Sequence, residues 1–162
     1  MSEPVSLRER MGLPSSARIL MAAGDYAPGD GMRMAVWAFD VLKYAAPDLH
    51  LVLVGDGPGR ERVLLFARAL GPDDCRVHFL TGDNSVSVVA DADIVWGTHP
   101  QGGVTFLKAA LALGKPVVAL RTPDTDGLPG AILVATGDPV ALATATRKAL
   151  AELAPHARGG VG

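Results

Sequence analysis

The sequence predicts an α/β fold in which a doubly wound, mainly parallel sheet of six strands carries helices on both faces. Short apolar runs alternate with segments of helical periodicity along almost the whole chain. The connections are short, and consecutive parallel strands require a crossover between them, usually a helix. Aromatic residues make up only 5% of the 162 residues, so the core must consist mainly of Ala, Val, Leu and Ile. Such a core suits a sheet that is buried on both faces.

The first half of the chain contains three predicted strands with two predicted helices between them. Each strand is a short apolar run that stops at a glycine or a turn, and each helix shows apolar residues at a spacing of three or four. The predicted elements are strand 17–23, helix 34–45, strand 50–54, helix 63–70 and strand 76–80.

The second half continues the same alternation. Asp138 is predicted to cap the last helix, with Pro139 as its first residue, where the missing amide proton costs nothing. The predicted elements are helix 86–90, strand 93–96, helix 104–113, strand 116–120, strand 131–134 and helix 139–154.

Length and composition predict a single domain at 17–154, after a segment at 1–16 that resembles an interdomain linker and before a loose tail at 155–162. The net charge of -2 gives no electrostatic basis for binding nucleic acid. No apolar run reaches the 18–20 or so residues of a transmembrane helix, and no signal peptide opens the chain. A single cysteine excludes an internal disulfide, so a cytoplasmic location is expected.

Six segments, in a consistent order and spacing, resemble one family. They are Leu-Arg-Glu-Arg-Met-Gly-Leu-Pro at 7–14, Val-Gly-Asp-Gly-Pro at 54–58, Val-His-Phe-Leu-Thr-Gly at 77–82, Ala-Asp-Ala-Asp-Ile-Val at 90–95, Ala-Leu-Gly-Lys-Pro-Val-Val-Ala at 112–119 and Gly-Asp-Pro-Val-Ala-Leu at 137–142. Together they resemble the C-terminal domain of retaining GT-B glycosyltransferases of family four, also called group one.

The resemblance implies a Rossmann-like lobe that holds a nucleotide diphosphate sugar. An N-terminal lobe, which mainly holds the acceptor, would be missing from this chain. The chain would then be one lobe of a longer protein or a natural stand-alone half, and it would be inactive alone. Two alternatives remain: a degenerate, non-catalytic relative that serves as an interaction or scaffold module, and a Rossmann-like binder of another phosphorylated ligand.

The loop after the first strand departs from the family pattern. Gly24 and Gly31 are in register with the family, but Asp25 stands where arginine is usual and Asp30 where lysine is usual. The family's two cations are expected to neutralise the donor diphosphate. Opposite unit charges about 4 Å apart attract by about 4 kcal/mol at an effective dielectric near 20, so two anions here weaken a conventional diphosphate site.

Two interpretations of these aspartates follow. Asp25 and Asp30 can cap the following helix or face water, or they can share a Mg²⁺ ion that bridges to phosphate. The first interpretation is preferred, and no cofactor is otherwise expected.

The loop after the fourth strand normally holds two glutamates that are separated by seven residues. The resemblance places Gln101 at the first position, near the reacting sugar, and Ala109 at the second, which usually binds the ribose hydroxyls. The Gln101 side chain can still form hydrogen bonds but carries no charge. The Ala109 side chain has neither a charge nor a hydrogen-bonding group. Val104 also replaces a usual glycine. No catalytic residue is therefore assigned with any firmness.

Backbone groups are the remaining donors in this region. Gly102, Gly103, Val104 and Thr105 lie at the predicted start of a helix, where unsatisfied amides form a generic anion site. Gly55 after the second strand, with Thr81 and Gly82 after the third, completes the predicted nucleotide-sugar site.

Overall fold

The computed structural model describes residues 6–27, 31–71, 76–82, 85–98, 104–135 and 137–153. Across these ranges the structure has six strands and six α-helices, which alternate except that β6 follows β5 directly, and a short 3₁₀ helix lies at Val89–Asp91. The strands are β1 Arg18–Ala23, β2 Leu49–Val54, β3 Val77–Leu80, β4 Ile94–Gly97, β5 Val117–Leu120 and β6 Ile132–Val134. The helices are α1 Leu7–Arg10, α2 Met32–Leu42, α3 Arg60–Leu70, α4 Ser85–Val88, α5 Val104–Ala112 and α6 Pro139–Glu152.

The strands form one sheet in the order β3-β2-β1-β4-β5-β6, and every neighbouring pair is parallel. The predicted fold class is therefore confirmed, and the sheet is wholly rather than mainly parallel across the residues that the structure describes. The chain first adds strands on one side of β1 and then returns to add β4 on the other side. This reversal of strand order lies between β1 and β4.

Two apolar cores lie on opposite faces of the sheet because successive strand residues point to opposite sides. Leu20 and Ala22 face the core that is covered by α2, α3 and α6. Ile19 and Met21 face the core that is covered by α1, α5 and the segment around Val88. All four strand residues are fully buried. A sheet covered on both faces is what the apolar, weakly aromatic composition predicted.

Helix α1 lies inside the segment 1–16 that was predicted to resemble a linker. Ser6 caps it by accepting a hydrogen bond from the Glu9 amide, and Leu7 is only 1% exposed. Arg8 donates from Nε to the Ala17 carbonyl at 2.8 Å and from Nη2 to Asp93 Oδ2 at 2.6 Å. This part of the segment is thus packed onto the domain, while the domain limits themselves stay predictions.

Charged side chains fasten the amino ends of the strands. Asp93 Oδ2 also accepts the Ile19 amide at 2.8 Å, which joins β4 to β1 just before their pairing begins. Arg18 pairs with Asp48 through Nε and Nη2, at 2.7 and 2.8 Å. Arg76 donates to carbonyl groups between α2 and β2. We call this end of the sheet the amino edge.

The predicted element limits differ from the observed ones by a few residues. The largest shift is at α2, predicted at 34–45, which begins at Met32 and ends at Leu42. Within the described ranges, none of the helices has the length and apolarity needed to cross a membrane.

Candidate functional site

The carboxyl ends of the strands, which we call the carboxyl edge, carry the candidate site. Because the strand order reverses between β1 and β4, the loops that follow these two strands lead to opposite faces and leave a crevice. Ligands of open parallel sheets bind at this position. The predicted loops after β1, β2, β3 and β4 therefore lie along one edge.

Close backbone contacts hold the loops after β1 and β2 together. A Cβ atom on Gly55 would overlap the Gly24 carbonyl oxygen, and one on Gly57 would overlap that of Asp25. Gly55 also has a φ of +140°, which side chains with a Cβ rarely adopt. The Val-Gly-Asp-Gly-Pro motif thus has a packing reason, because only glycine allows two loops to approach so closely.

Asp25 lies on the surface of this loop pair. Its Oδ1 accepts a hydrogen bond from the Ala27 amide at 3.0 Å, the geometry of an Asx turn. This hydrogen bond is local to the loop, and the exposed carboxylate agrees with the interpretation in which Asp25 faces water. Asp30, its partner in the magnesium hypothesis, lies outside the described residues, so a shared ion stays untested.

Gly31 begins α2 and contacts the end of β4. It has a left-handed φ of +88°, and as a glycine it has no side chain that could cap the helix. A Cβ on Gly31 would overlap the Thr98 carbonyl oxygen. The N-terminus of an eleven-residue helix therefore lies directly against the residue that follows β4, at the reversal of strand order.

Thr98 is a residue of the carboxyl edge that the sequence analysis did not single out. The side chain is 1% exposed, and within the described part of the chain its Oγ1 has no hydrogen-bond partner. A buried hydroxyl without a partner costs free energy, about 1–3 kcal/mol in mutational data. Its position directly after a parallel strand, in Trp96-Gly97-Thr98, is the signal that could have identified it.

Helix α5 starts at Val104, as predicted, so the amides of its first turn have no partners within the helix. Thr105 is exposed at the second position. Ala109, at the family's second glutamate position, packs against the core. Ala109 therefore faces the sheet. Gln101, Gly102 and Gly103 lie outside the described residues, so their predicted role in binding stays a prediction.

The predicted site residues after β3 are exposed, unlike Gly55 and Gly57 after β2, which are in close contact with the loop after β1. Thr81 and Gly82 are exposed, and Gly82 has a φ of +83° with nothing near the position of a Cβ. The Gly55 amide donates to the Leu80 carbonyl at 3.0 Å, which keeps this loop next to the loop after β2.

Arg60 is a cation at the carboxyl edge that the sequence analysis also missed. It is the first residue of α3, and its guanidinium carbon lies 5.6 Å from the centre of the Phe79 ring. Tyr26 stacks on the same ring at 6.5 Å and has a left-handed φ of 59°. No motif marked Arg60, because a single arginine after a glycine-proline turn is common on protein surfaces.

This edge offers helix amides, a buried hydroxyl and one arginine. Those groups donate hydrogen bonds to an anion, whereas acid–base chemistry needs a positioned titratable pair. In the part of the chain that the structure describes, no cluster of three or more His, Cys, Asp or Glu residues could hold a metal ion. The geometry therefore suits anion binding.

A family model described as "Glycosyl transferases group 1" matches residues 17–152. The 2-deoxystreptamine glucosyltransferase of Streptomyces kanamyceticus is 31% identical over 163 residues, which covers 95% of this chain and 42% of that protein. An uncharacterized glycosyltransferase of Bacillus subtilis, YqgM, is 38% identical over 80 residues, covering 48% of this chain and 22% of its own length.

Solved structures share the fold. Anabaena Alr3699/HepE, in complex with UDP and glucose, superimposes with a TM-score of 0.77 at 22% identity, covering 90% of this chain and 42% of that one. The catalytic domain of cholesterol-alpha-glucosyltransferase from Helicobacter pylori gives 0.69 at 18% identity, with 84% and 88% covered. The chain thus spans about two fifths of the S. kanamyceticus and Anabaena proteins. It has the Rossmann-like fold of a GT-B lobe, and it belongs to the group 1 glycosyl transferases.

Proposed function

We propose that this chain is the donor-side domain of a group 1 glycosyltransferase and binds a nucleotide diphosphate sugar at the carboxyl edge. The observation that carries the proposal is the contact between Gly31 and Thr98. It joins the N-terminus of α2 to a buried hydroxyl that has no partner among the described residues. A helix N-terminus attracts phosphate through its amides and its dipole, and the hydroxyl gains the hydrogen bond that it lacks.

The diphosphate is recognised by neutral donors more than by cations. Asp25 and Asp30 replace the usual arginine and lysine, so the α2 amides, the Thr98 hydroxyl and the distant Arg60 must compensate. A neutral hydrogen bond contributes about 1 kcal/mol, and one to a charged group about 1.5–3 kcal/mol. We therefore expect affinity for the donor to be weaker than in relatives with both cations.

UDP is the first nucleotide to test, because the Anabaena structure that superimposes on this chain holds UDP and glucose. Sugar transfer would need the acceptor lobe, because the chain spans only part of its relatives' length. A cytoplasmic location is part of this proposal, because a single cysteine forms no internal disulfide.

Calorimetric titration of the chain with UDP, GDP, ADP and their sugar conjugates tests the proposal. We expect UDP or GDP to bind, and Thr98→Val to weaken that binding about ten- to hundredfold, the loss of one hydrogen bond to a charged group. Thr144→Val, an exposed threonine on α6, is the matched control and should leave affinity unchanged.

Each titration is repeated with Mg²⁺ and with EDTA. A Mg²⁺-dependent affinity that Asp25→Asn abolishes would support the shared ion of the alternative interpretation. If no nucleotide binds under either condition, the donor-side proposal is wrong. Equal affinity in the Thr98 and Thr144 variants would remove Thr98 from the site.

The second candidate is a non-catalytic relative that uses the fold as an interaction module. The Asx turn of Asp25 favours it, because a carboxylate that orders its own loop would repel phosphate there. Nucleotide binding without sugar hydrolysis or transfer, measured with the full-length protein, would favour this candidate.

A further inference from the structure

Two histidines face each other near the amino edge, at the far end of the strands from the donor site. His50 is the second residue of β2, and His78 is the second residue of β3. His50 Nδ1 and His78 Nε2 lie 3.0 Å apart, and the ring centres are 5.2 Å apart at an interplanar angle of 23°. Both side chains are half-buried, so solvent reaches the pair.

Strand register brings the two rings together. His78 pairs with Val52, so His50, two residues earlier in β2, points to the same face of the sheet. The neighbouring residue on that face of β2, Val52, belongs to the core beneath α1 and α5. The two rings therefore lie diagonally across two strands whose backbones are fixed by the parallel ladder.

The facing nitrogen atoms have the chemistry of metal ligands. A neutral imidazole carries a lone pair on one nitrogen and a proton on the other, and either tautomer is accessible. With the proton on the outer nitrogen of each ring, both lone pairs point at the space between the rings. Zinc–imidazole bonds of about 2.0–2.1 Å at a tetrahedral angle separate two ligand nitrogens by about 3.3–3.4 Å. Because the rings oppose each other almost head-on, each lone pair must turn by about 35° from the N–N line to meet one ion, and the two nitrogens must separate by about 0.3–0.4 Å.

We propose that His50 and His78 form a site for a divalent transition-metal ion of the class that binds imidazole, namely Zn²⁺, Ni²⁺ or Cu²⁺. Mg²⁺ is outside this class, because it prefers oxygen ligands. Within the described ranges, no third His, Cys, Asp or Glu forms a metal-binding group with the pair. The two imidazoles supply two ligands, and water would supply others. The site lies at the opposite end of β2 from the donor site and does not depend on donor binding.

A bound ion would connect an edge strand to the interior of the sheet. β3 pairs only with β2, and all four of its residues are partly exposed. A metal bridge between His50 and His78 adds a side-chain link to this ladder on the face opposite α3. This link would stabilise β3. Among its described contacts, β6 at the other edge of the sheet has no pair of this kind, so a bound ion should leave β6 unchanged.

The test uses metal titrations of the chain in a Cys75→Ser background, which removes the thiol as a ligand. Unfolding temperature and calorimetric affinity are measured with Cu²⁺, Ni²⁺, Zn²⁺ and, as a control, Mg²⁺. We expect affinity in the order Cu²⁺ above Ni²⁺ and Zn²⁺, with no Mg²⁺ effect. At one hundred times the Kd, the unfolding temperature should rise by roughly 5–10 °C.

Single substitutions assign the effect to the pair. His50→Gln and His78→Gln should each weaken binding at least tenfold, because one imidazole alone is a poor site. His99→Gln and His156→Gln, the other two histidines of the chain, are the matched controls and should leave affinity unchanged. An affinity that the first two changes leave intact, or that the last two abolish, overturns the proposal.

Two further measurements use the chain with both histidines present, so they test the site even if the histidine variants fail to fold. Paramagnetic resonance of bound Cu²⁺ should show hyperfine coupling to two nitrogens, and Zn²⁺ should slow amide hydrogen exchange in β3 but not in β6. A Cu²⁺ signal without nitrogen coupling, or equal protection of both strands, contradicts the site. If no metal changes the unfolding temperature, the contact between the two histidines is structural and the proposal fails.

Discussion

The two ends of the sheet are built in different ways. At the amino edge, charged side chains are paired: Asp93 binds Arg8 and the Ile19 amide, and Arg18 binds Asp48. At the carboxyl edge, glycines pack backbone against backbone, and the buried Thr98 hydroxyl has no partner within the described residues. The amino edge thus stabilises the fold, while the carboxyl edge keeps polar groups available for a ligand.

The largest expected effect is at the glycine contacts of the carboxyl edge. Gly55→Ala should lower the free energy of unfolding by about 4 kcal/mol, since overpacking costs about 1–3 kcal/mol and a left-handed alanine about 1–2 kcal/mol. Gly82→Ala is the matched control, because it has a positive φ but open space around it, and should cost about 1–2 kcal/mol. Urea unfolding measures both. Equal losses would show that conformation rather than loop contact explains Gly55.

The next largest loss of stability is expected when the Asp93 contacts at the amino edge are removed. Asp93→Ala removes two hydrogen bonds, one of them to a guanidinium group, and should cost about 2–3 kcal/mol. Asp126→Ala is the control, because its pair with Arg121 is exposed on both sides and should contribute less than about 1 kcal/mol. Urea unfolding would measure the difference in the free energy of unfolding, as a shift of the midpoint concentration without a change in the m value. A loss for Asp93 no larger than that for Asp126 would contradict the role assigned to the amino edge.

The smallest effect separates two buried threonines. Thr146 Oγ1 accepts the Trp96 indole N–H at 2.6 Å, so Thr146→Val should cost about 1–3 kcal/mol by leaving that donor buried and unpaired. Thr98→Val removes a buried hydroxyl that has no partner among the described residues, so it should not lower the free energy of unfolding and should raise it by up to about 1 kcal/mol. Thermal unfolding without ligand measures both, and a large loss for Thr98 would mean that its hydroxyl serves the fold.

The sequence was sufficient for the fold but for only part of the site. Strand and helix periods are local properties, so the elements and the parallel sheet followed from them, and the family resemblance was confirmed by the match over 17–152. Thr98 was missed because its importance depends on burial and on the contact with Gly31, which lies far away in the chain. Ala109 was assigned by alignment, and only packing shows that it faces the core.

The His50–His78 pair was missed for a related reason. His78 alone predicts nothing beyond a structural role in a strand, and the pairing needs the register of β2 against β3. Helix α1 was not predicted, because four residues are too few to show a helical periodicity. Its stability comes from the packing of Leu7 and Arg8 onto the domain.

The docking of α1 has a mechanical consequence. Arg8 fixes this helix to Ala17 and Asp93, so the polypeptide enters the sheet at the amino edge. A six-residue strand such as β1 is about 20 Å long, so α1 lies about that distance from the crevice. A preceding lobe that turned about α1 would swing on a lever of this length. A rotation of about 10° would then move its surface by about 3–4 Å over the carboxyl edge, enough to open or close a cleft around a small ligand.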